Sequence, residues 1–560
     1  MKNLPKYTFE ILLLLLILSA YTAHSLYIGS HLMNYATDYI SGLHLNLGGM
    51  PLYDSLLRGG NFKGAITQFH AQVYPPVYLL GGLIATMVFG KNWMIMNLAQ
   101  NSFYLIMALV FSYLLASRIA GRLAGIMNAL ILAMLPAVYG VFTGFIIDSA
   151  LMGLAVMSVY FLLRSESFTE FRWSVLFGIA CGWGMMVKPS FGAVILGIIA
   201  YPLWQIGAQA YKKKRGPLRN FTVSVLVTAL LASPYYFSAQ TIMRWYKNPL
   251  EEVSPIPWHS WEILRFFTVG ICENQLTPPF FMAFLIGLFY YFGKKYSSEI
   301  KWITSLWVLV PTLMVLFMPH WKTTYYLLPV LPAYSLIAAV GLASISVKWY
   351  GRIVVLLILA AGILQYFGIT YGLGLPLAVE NENKMQATLM PLRYYGYSEA
   401  ATPFQKRLKR NNNYENAYGS IARRIGPEYK GKTARIAMID SFDLNDINYF
   451  WFHDVSIEKR QFLSYLYHEY DEKNVDHIMF GILNKDDAGG LGYSLPFRRI
   501  KEYYMGQGSW ARDNVDDKGW ARLEKIWGKI MVSYSVREKL SSNDHFSVYL
   551  YSKKPYKGRK

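Results

Sequence analysis

Two carboxylates and two basic segments stand out in a chain that is poor in acidic groups up to residue 371. Asp38 lies in Tyr35-Ala36-Thr37-Asp38-Tyr39, shortly after an apolar N-terminal segment. Asp148 opens an apolar run in Gly144-Phe145-Ile146-Ile147-Asp148-Ser149. Lys188 falls between two apolar runs, in Gly182-Trp183-Gly184-Met185-Met186-Val187-Lys188-Pro189-Ser190. The segment 319–329 gathers His320, Lys322, Tyr325 and Tyr326 on one short turn. A carboxylate can take or orient the proton of an attacking hydroxyl. Preorganised cations can hold an anionic phosphate as charge builds on it. Each residue also has an ordinary reading. Asp38 fits a solvated loop carboxylate or a helix cap, and Asp148 fits a helix N-terminal charge favoured by the dipole. Lys188 fits a lysine snorkelling to an interface. An aromatic belt accounts for Trp321 and the two tyrosines, but less readily for His320 and Lys322 side by side.

The elements that must position these groups are membrane spans. The 560 residues are 54% hydrophobic and 16% aromatic, with a mean hydropathy of +0.24, which places the chain among polytopic membrane proteins. The apolar runs are concentrated in 1–371, and 372–560 reads as soluble. The first run, about Phe9 to Ile28, has the length a bilayer requires and follows Lys2 and Lys6. It is long for a signal peptide, and no clear cleavage site follows it. Further runs lie near 75–90, 93–116, 121–140, 146–163, 173–187, 190–208, 218–238, 278–293, 301–318, 324–345 and 352–372. The expectation is 11 to 13 spans.

Basic connectors orient them. Lys212, Lys213, Lys214, Arg215 and Arg219, then Lys294 and Lys295, then Lys348 and Arg352 belong on the cytoplasmic side by the positive-inside rule. Asp148, Lys188, the loop 239–277, the turn at His320 and the tail then fall outside. Twelve complete crossings would return the tail to the inside, so one segment must fail to cross. The run 75–90, short and opened by Pro75-Pro76, is the best suspect, and the segmentation between 121 and 163 is the next.

The chain divides into a transmembrane part, 1–371, whose first outer loop is 29–74, then a connecting segment, 372–430, and a soluble α/β domain, 431–560. In the tail, Ala434 to Ile439, His477 to Leu483, Ile530 to Tyr534 and Ser547 to Tyr551 have strand character, and Val455 to Tyr470 reads as a helix. Gly489-Gly490-Leu491-Gly492 reads as a surface turn rather than a phosphate loop. Two cysteines, Cys181 and Cys272, give neither a disulfide framework nor a metal signature. The net charge of +20 is assigned to cytoplasmic loops and anionic membrane lipids, because no nucleic-acid motif accompanies it.

The order of these features resembles a family. A long first outer loop with an early Asp is followed by Tyr74-Pro75-Pro76-Val77-Tyr78, Phe89-Gly90, Pro136 with Asp148 after it, the Gly-x-Gly-Met-x-x-Lys-Pro stretch at 182–189, and Lys322 to Pro332. Over about residues 9–345 this is similar to the bacterial GT-C glycosyltransferases, and most to the protein O-mannosyltransferase and aminoarabinose (lipid A) transferase relatives. The resemblance implies a multi-pass enzyme of the bacterial inner membrane. It would take a sugar from a polyprenyl-phosphate donor to an extracytoplasmic acceptor that is a lipid, a glycan or a protein. By position it makes Asp38 and Asp148 the catalytic acids and puts Lys188, His320, Lys322, Tyr325 and Tyr326 near the donor phosphate.

The sequence also departs from the family. Relatives commonly carry Asp-Glu where Asp38-Tyr39 stands, and His or Lys where Tyr74 stands. Some relatives bind a divalent metal ion near the first-loop carboxylate, and the departure weakens that expectation here. His31, His44 and His70 lie in or beside the loop without metal-ligand spacing. The outer loop 239–277, with Trp245, Trp258, His259, Trp261 and Glu273, suits sugar stacking or interfacial anchoring. Two other classes stay open: a transporter or flippase of lipid-linked saccharide, with charges along a central path, and a non-catalytic membrane scaffold.

Overall fold

The computed structural model describes residues 7–31, 75, 77–89, 93–142, 147–211, 215–238, 271–294, 296–317, 324–371, 378–381, 384–387, 433–439, 449–452, 455–461, 477–483, 517–521, 524–525, 528, 534–542 and 546–553. Asp38, His320 and Lys322 lie outside the described residues, as does the loop 239–270. Two compact units are present, one of 1–31, 63–85 and 96–409, the other of 32–62, 86–95 and 410–560.

The first unit is helical. Its elements are α1 (Thr8–His31), α2 (Val77–Phe89), α3 (Trp93–Ala120), α4 (Arg122–Met134), α5 (Pro136–Val141), α6 (Ile147–Arg164), α7 (Phe171–Met185), α8 (Phe191–Tyr211), α9 (Gly216–Tyr236), a π-helix (Ile271–Leu276), α10 (Thr277–Gly293), α11 (Ser298–Phe317), a 3-10 helix (Thr324–Val330), α12 (Leu331–Ile345) and α13 (Trp349–Tyr371). α2 and α3 each extend a few residues into the second unit. Among the described residues, seven helices are long and apolar enough to cross a membrane, and two shorter apolar helices, α4 and α10, accompany them. The chain is a multi-pass membrane protein.

The sequence accounts for the helix breaks. The apolar run 121–140 divides because Leu135 is extended (ψ 128°) ahead of Pro136, as the residue before a proline tends to be. The run 75–90 yields only the 13 residues of α2. That is about 20 Å of helix against about 30 Å of hydrocarbon, too short to cross unaided. The run 324–345 opens with the 3-10 helix and continues as α12 from Leu331.

Glycines set the closest helix contacts. A Cβ on Gly287 would stand 2.1 Å from the Ile337 carbonyl oxygen, and one on Gly341 would stand 2.5 Å from the Gly287 Cα, so α10 and α12 touch backbone to backbone. On α7, a Cβ on Gly178 would meet the Ser224 carbonyl oxygen at 2.5 Å, and Thr228 Oγ1 donates to the Gly178 carbonyl at 2.9 Å. With Gly182 against Leu231, this is small-residue packing of the kind that joins helices in lipid.

The turn from α6 to α7 is unusual. Glu166, Ser167 and Phe168 have φ of 50°, 53° and 67° in succession, a left-handed stretch that costs each non-glycine residue. It is held because Phe168 is fully buried and Asn220 Nδ2 donates to the Phe168 and Thr169 carbonyls at 2.9 and 3.1 Å. Thr277 (φ 63°) joins the π-helix to α10 in a conformation that is costly for a β-branched residue.

Two short strands follow α13 in the first unit, β1 (Ala378–Asn381) and β2 (Lys384–Ala387), paired antiparallel. The second unit contains a six-stranded mixed sheet. Its strands are β3 (Thr433–Ile439), β4 (Tyr449–Phe452), β5 (Val455–Gln461), β6 (His477–Leu483), β7 (Tyr534–Ser542) and β8 (Phe546–Lys553), in the order β4-β5-β3-β6-β8-β7. β3 runs parallel to β5 and β6, and the other pairings are antiparallel.

The helix expected over Val455 to Tyr470 is corrected by β5 over Val455 to Gln461, and 462–470 lie outside the described residues. Val455 to Gln461 lies between β3 and β4, where ladder pairing on both sides overrides the helical periodicity. Of the strand expected at Ile530 to Tyr534, only Tyr534 is among the described residues, where it opens β7, which runs to Ser542. Strands at 434–439, 477–483 and 547–551 occur where their patterns predict them.

Candidate functional site

Asp148 sits in the first turn of α6, and Lys188 sits in the break between α7 and α8. Pro189 prevents α7 from continuing, and the chain closes with Val187 N and Lys188 N both donating to the Gly184 carbonyl at 3.1 Å. Gly184 is required there, because a Cβ would stand 2.2 Å from the ring of Phe191. The turn is clamped from two sides. Tyr236 Oη donates to the Met185 carbonyl at 2.9 Å, and Val77 N, just past Pro75-Pro76, donates to the Met186 carbonyl at 3.3 Å.

This framework brings Lys188 Nζ to 2.9 Å from both carboxylate oxygens of Asp148. Asp148 is 1% exposed and Lys188 is 7% exposed. Nζ also lies 4.8 Å from the ring centroid of Tyr326, in the 3-10 helix, on the π face where a cation is attracted. Desolvating two charges is expensive, so a buried pair persists only with close two-point geometry such as this. A buried ionic pair in a membrane bundle is a candidate functional site by default.

Three of the residues expected from the sequence therefore meet: Asp148, Lys188 and Tyr326. Tyr325 is in the same 3-10 helix by its backbone, and its side chain lies outside the described residues. Asp38, His320 and Lys322 lie outside the described residues. Among the described residues, no group of three His, Cys, Asp or Glu side chains is arranged to hold a metal ion. Both oxygens of Asp148 are engaged by Lys188. Cys181 is buried and Cys272 half-buried, and the two are not joined by a disulfide.

Sequence reasoning did not single out the polar face of α3. Asn97, Gln100 and Asn101 are all buried. Asn101 Nδ2 donates to Asn97 Oδ1 at 2.8 Å, and Ser149 Oγ, next to Asp148, donates to Asn101 Oδ1 at 3.4 Å. Gln100 Nε2 donates to the Tyr78 carbonyl at the start of α2. One helix face thus ties the segment after Pro75-Pro76 to the first turn of α6. Aromatic rings continue it: Tyr78 stacks on Tyr104, and Trp183 lies against both Tyr104 and Phe103. Three carboxamides at i, i+3 and i+4 in an apolar helix were the available signal.

Comparisons with known proteins bear on this arrangement. Residues 74–236 match the family described as dolichyl-phosphate-mannose-protein mannosyltransferase, an interval containing Pro75-Pro76, Asp148 and Lys188. No curated protein matches the chain in sequence. In fold, the chain carries the architecture of the GT-C glycosyltransferases, the class its sequence resembles. It is similar to ArnT from Cupriavidus metallidurans in the apo state, with a TM-score of 0.56 and 12% identity over 98% of each chain. The same protein bound to undecaprenyl phosphate gives a TM-score of 0.57, again at 12% identity over 98% of each chain. At that identity the likeness is one of fold.

Proposed function

We propose that the chain is an integral membrane glycosyltransferase that moves a sugar from a polyprenyl-phosphate donor to an extracytoplasmic acceptor. The observation that carries this reading is the buried Asp148–Lys188 pair against Tyr326, inside the interval that matches the mannosyltransferase family. A polyprenyl-phosphate ligand is supported by the shared fold with ArnT, which has been solved bound to undecaprenyl phosphate.

In this reading Lys188 contacts the donor phosphate together with His320, Lys322, Tyr325 and Tyr326, and the carboxylate of Asp38 takes or orients the acceptor proton. The acceptor oxygen attacks the anomeric carbon while the bond from that carbon to the phosphate oxygen breaks, inverting the centre. The electron pair of the broken bond stays on the phosphate, where fixed cations stabilise it. Asp148 is the second acidic position. The acceptor is a lipid, glycan or protein, and the sugar is a hexose or pentose, since fold does not fix substrate.

The membrane arrangement follows from α2 failing to cross. α1, α3, α4 with α5, and each helix from α6 to α13 then make eleven crossings, an odd number. The N-terminus lies in the cytoplasm of a bacterial inner membrane. Lys212 to Arg215 and Lys294 and Lys295 face the cytoplasm, the pair faces outward, and 431–560 forms an extracytoplasmic α/β domain after the connecting segment 372–430.

The test is release of polyprenyl phosphate from a panel of radiolabelled polyprenyl-phosphate sugars by the purified chain, with Asp38→Ala beside wild type and with and without chelator. Release that disappears in Asp38→Ala supports the reading and names the donor, and chelator sensitivity reports a metal requirement. A folded wild-type protein that binds these donors and moves them across vesicles without cleaving them would assign a transporter instead.

A further inference from the structure

We infer that Asp148 is the resident counter-ion of Lys188, and that an arriving lipid phosphate must compete with this carboxylate for the ammonium. The carboxylate then sets how tightly phosphate is held and how readily the spent carrier leaves. The inference rests on the reading of Lys188 as a donor-phosphate contact and revises the role of Asp148 within it.

The geometry separates a counter-ion from a base. A base presents an oxygen to the acceptor hydroxyl, whereas both oxygens of Asp148 are 2.9 Å from Lys188 Nζ in a site almost closed to water. The carboxylate is also fixed from behind: Ser149, the next residue in α6, is tied to Asn101, and Asn101 to Asn97. On another flank the ammonium meets the ring of Tyr326, which attracts the cation without neutralising it. A phosphate oxygen therefore reaches an ammonium whose charge is already balanced.

Charge balance in the transfer makes this useful. The donor is a phosphodiester with one negative charge. When the bond between the anomeric carbon and the phosphate oxygen breaks, its electron pair stays on that oxygen and the acceptor proton leaves to the base. The product monoester thus carries one more negative charge than the donor. A free buried lysine would hold that product more tightly than the donor and retain it. A carboxylate in contact with the same lysine opposes the product more strongly than the donor, because like charges in a desolvated site repel.

The experiment is direct binding of polyprenyl phosphate to the purified full chain as wild type, Asp148→Asn, Lys188→Gln and the double variant, with thermal melts run in parallel. Asp148→Asn is expected to bind on the order of tenfold tighter, Lys188→Gln to bind more weakly, and the double variant to bind no more weakly than Lys188→Gln. A carboxylate that serves only to hold the fold predicts weaker binding in Asp148→Asn. Unchanged or weaker binding by a folded Asp148→Asn overturns the inference. Should that variant fail to fold, the double variant, which buries no unpaired charge, still decides: binding well below Lys188→Gln would mean that Asp148 acts other than through Lys188. Wild type that binds no polyprenyl phosphate, with Lys188→Gln the same, overturns the Lys188 reading itself. Binding that depends on Lys188 but ignores Asp148 overturns only the counter-ion.

Discussion

Asp148 with Lys188 and Glu10 with Arg122 are both carboxylate–cation pairs beside α3, yet the solvent treats them differently. Asn101, one hydrogen bond from Ser149, lies near one end of the helix, and Arg118 lies near the other, about 25 Å away at 1.5 Å per residue. At the far end, Glu10 accepts from Arg122 Nη2 at 2.7 Å and from Tyr113 Oη at 2.9 Å, while the Arg122 side chain is 54% exposed. That pair tethers α1 to α3 and α4 at a rim where Arg122 is exposed and the Glu10 side chain is 10% exposed, and ion pairs at an exposed rim contribute little. The Asp148–Lys188 pair has shed its water, and a fold gains little from such a pair compared with apolar packing. The comparison teaches that in this bundle burial, rather than the presence of charge, sets the proposed site apart from a fastening.

The comparison can be broken most severely at Lys188. Lys188→Ala leaves the Asp148 carboxylate buried and uncompensated, at an expected cost of about 3–5 kcal/mol in denaturation of the detergent-solubilised chain, with donor turnover lost. Removing both charges together, as Lys188→Met with Asp148→Leu, should recover most of that stability while turnover stays absent. Recovery of turnover would show that the pair is only structural.

A fastening of another kind lies at the contact between α10 and α12. Gly287→Val drives a side chain into the Ile337 carbonyl and is expected to cost about 1–3 kcal/mol in the same assay. The folded fraction should keep its donor KM. Asn220→Ala removes two hydrogen bonds from the left-handed turn at 166–168 and should cost about 1–3 kcal/mol, again without moving donor KM. The smallest effect is expected from Arg122→Gln, which should leave turnover unchanged and the thermal midpoint close to wild type. A change in donor KM in any of these three would contradict the separation between fastening and site.

Much of the helical scaffold was legible because its signals are local. Apolar runs predicted the described helices of the first unit to within a few residues, Asp148 opens α6 as its position suggested, and Pro189 predicted the break that carries Lys188. Pro136 also divided a run that hydropathy alone left whole. What brings Asp148, Lys188 and Tyr326 together was not legible, because three separate elements meet there and no spacing along the chain records it. The same holds for Asn97, Gln100 and Asn101, whose role depends on which face of α3 meets α6. In the tail, Val455 to Gln461 shows the limit of periodicity, since partners on both sides decide a strand that the segment by itself does not.

The most direct test of the central claim is single-turnover transfer from a radiolabelled polyprenyl-phosphate sugar in proteoliposomes, comparing wild type, Lys188→Gln and Arg122→Gln at equal folded protein. The account predicts release of polyprenyl phosphate by wild type and Arg122→Gln alike, and a loss of at least about a hundredfold in Lys188→Gln. Equal release by all three would show that the buried pair is not the donor site.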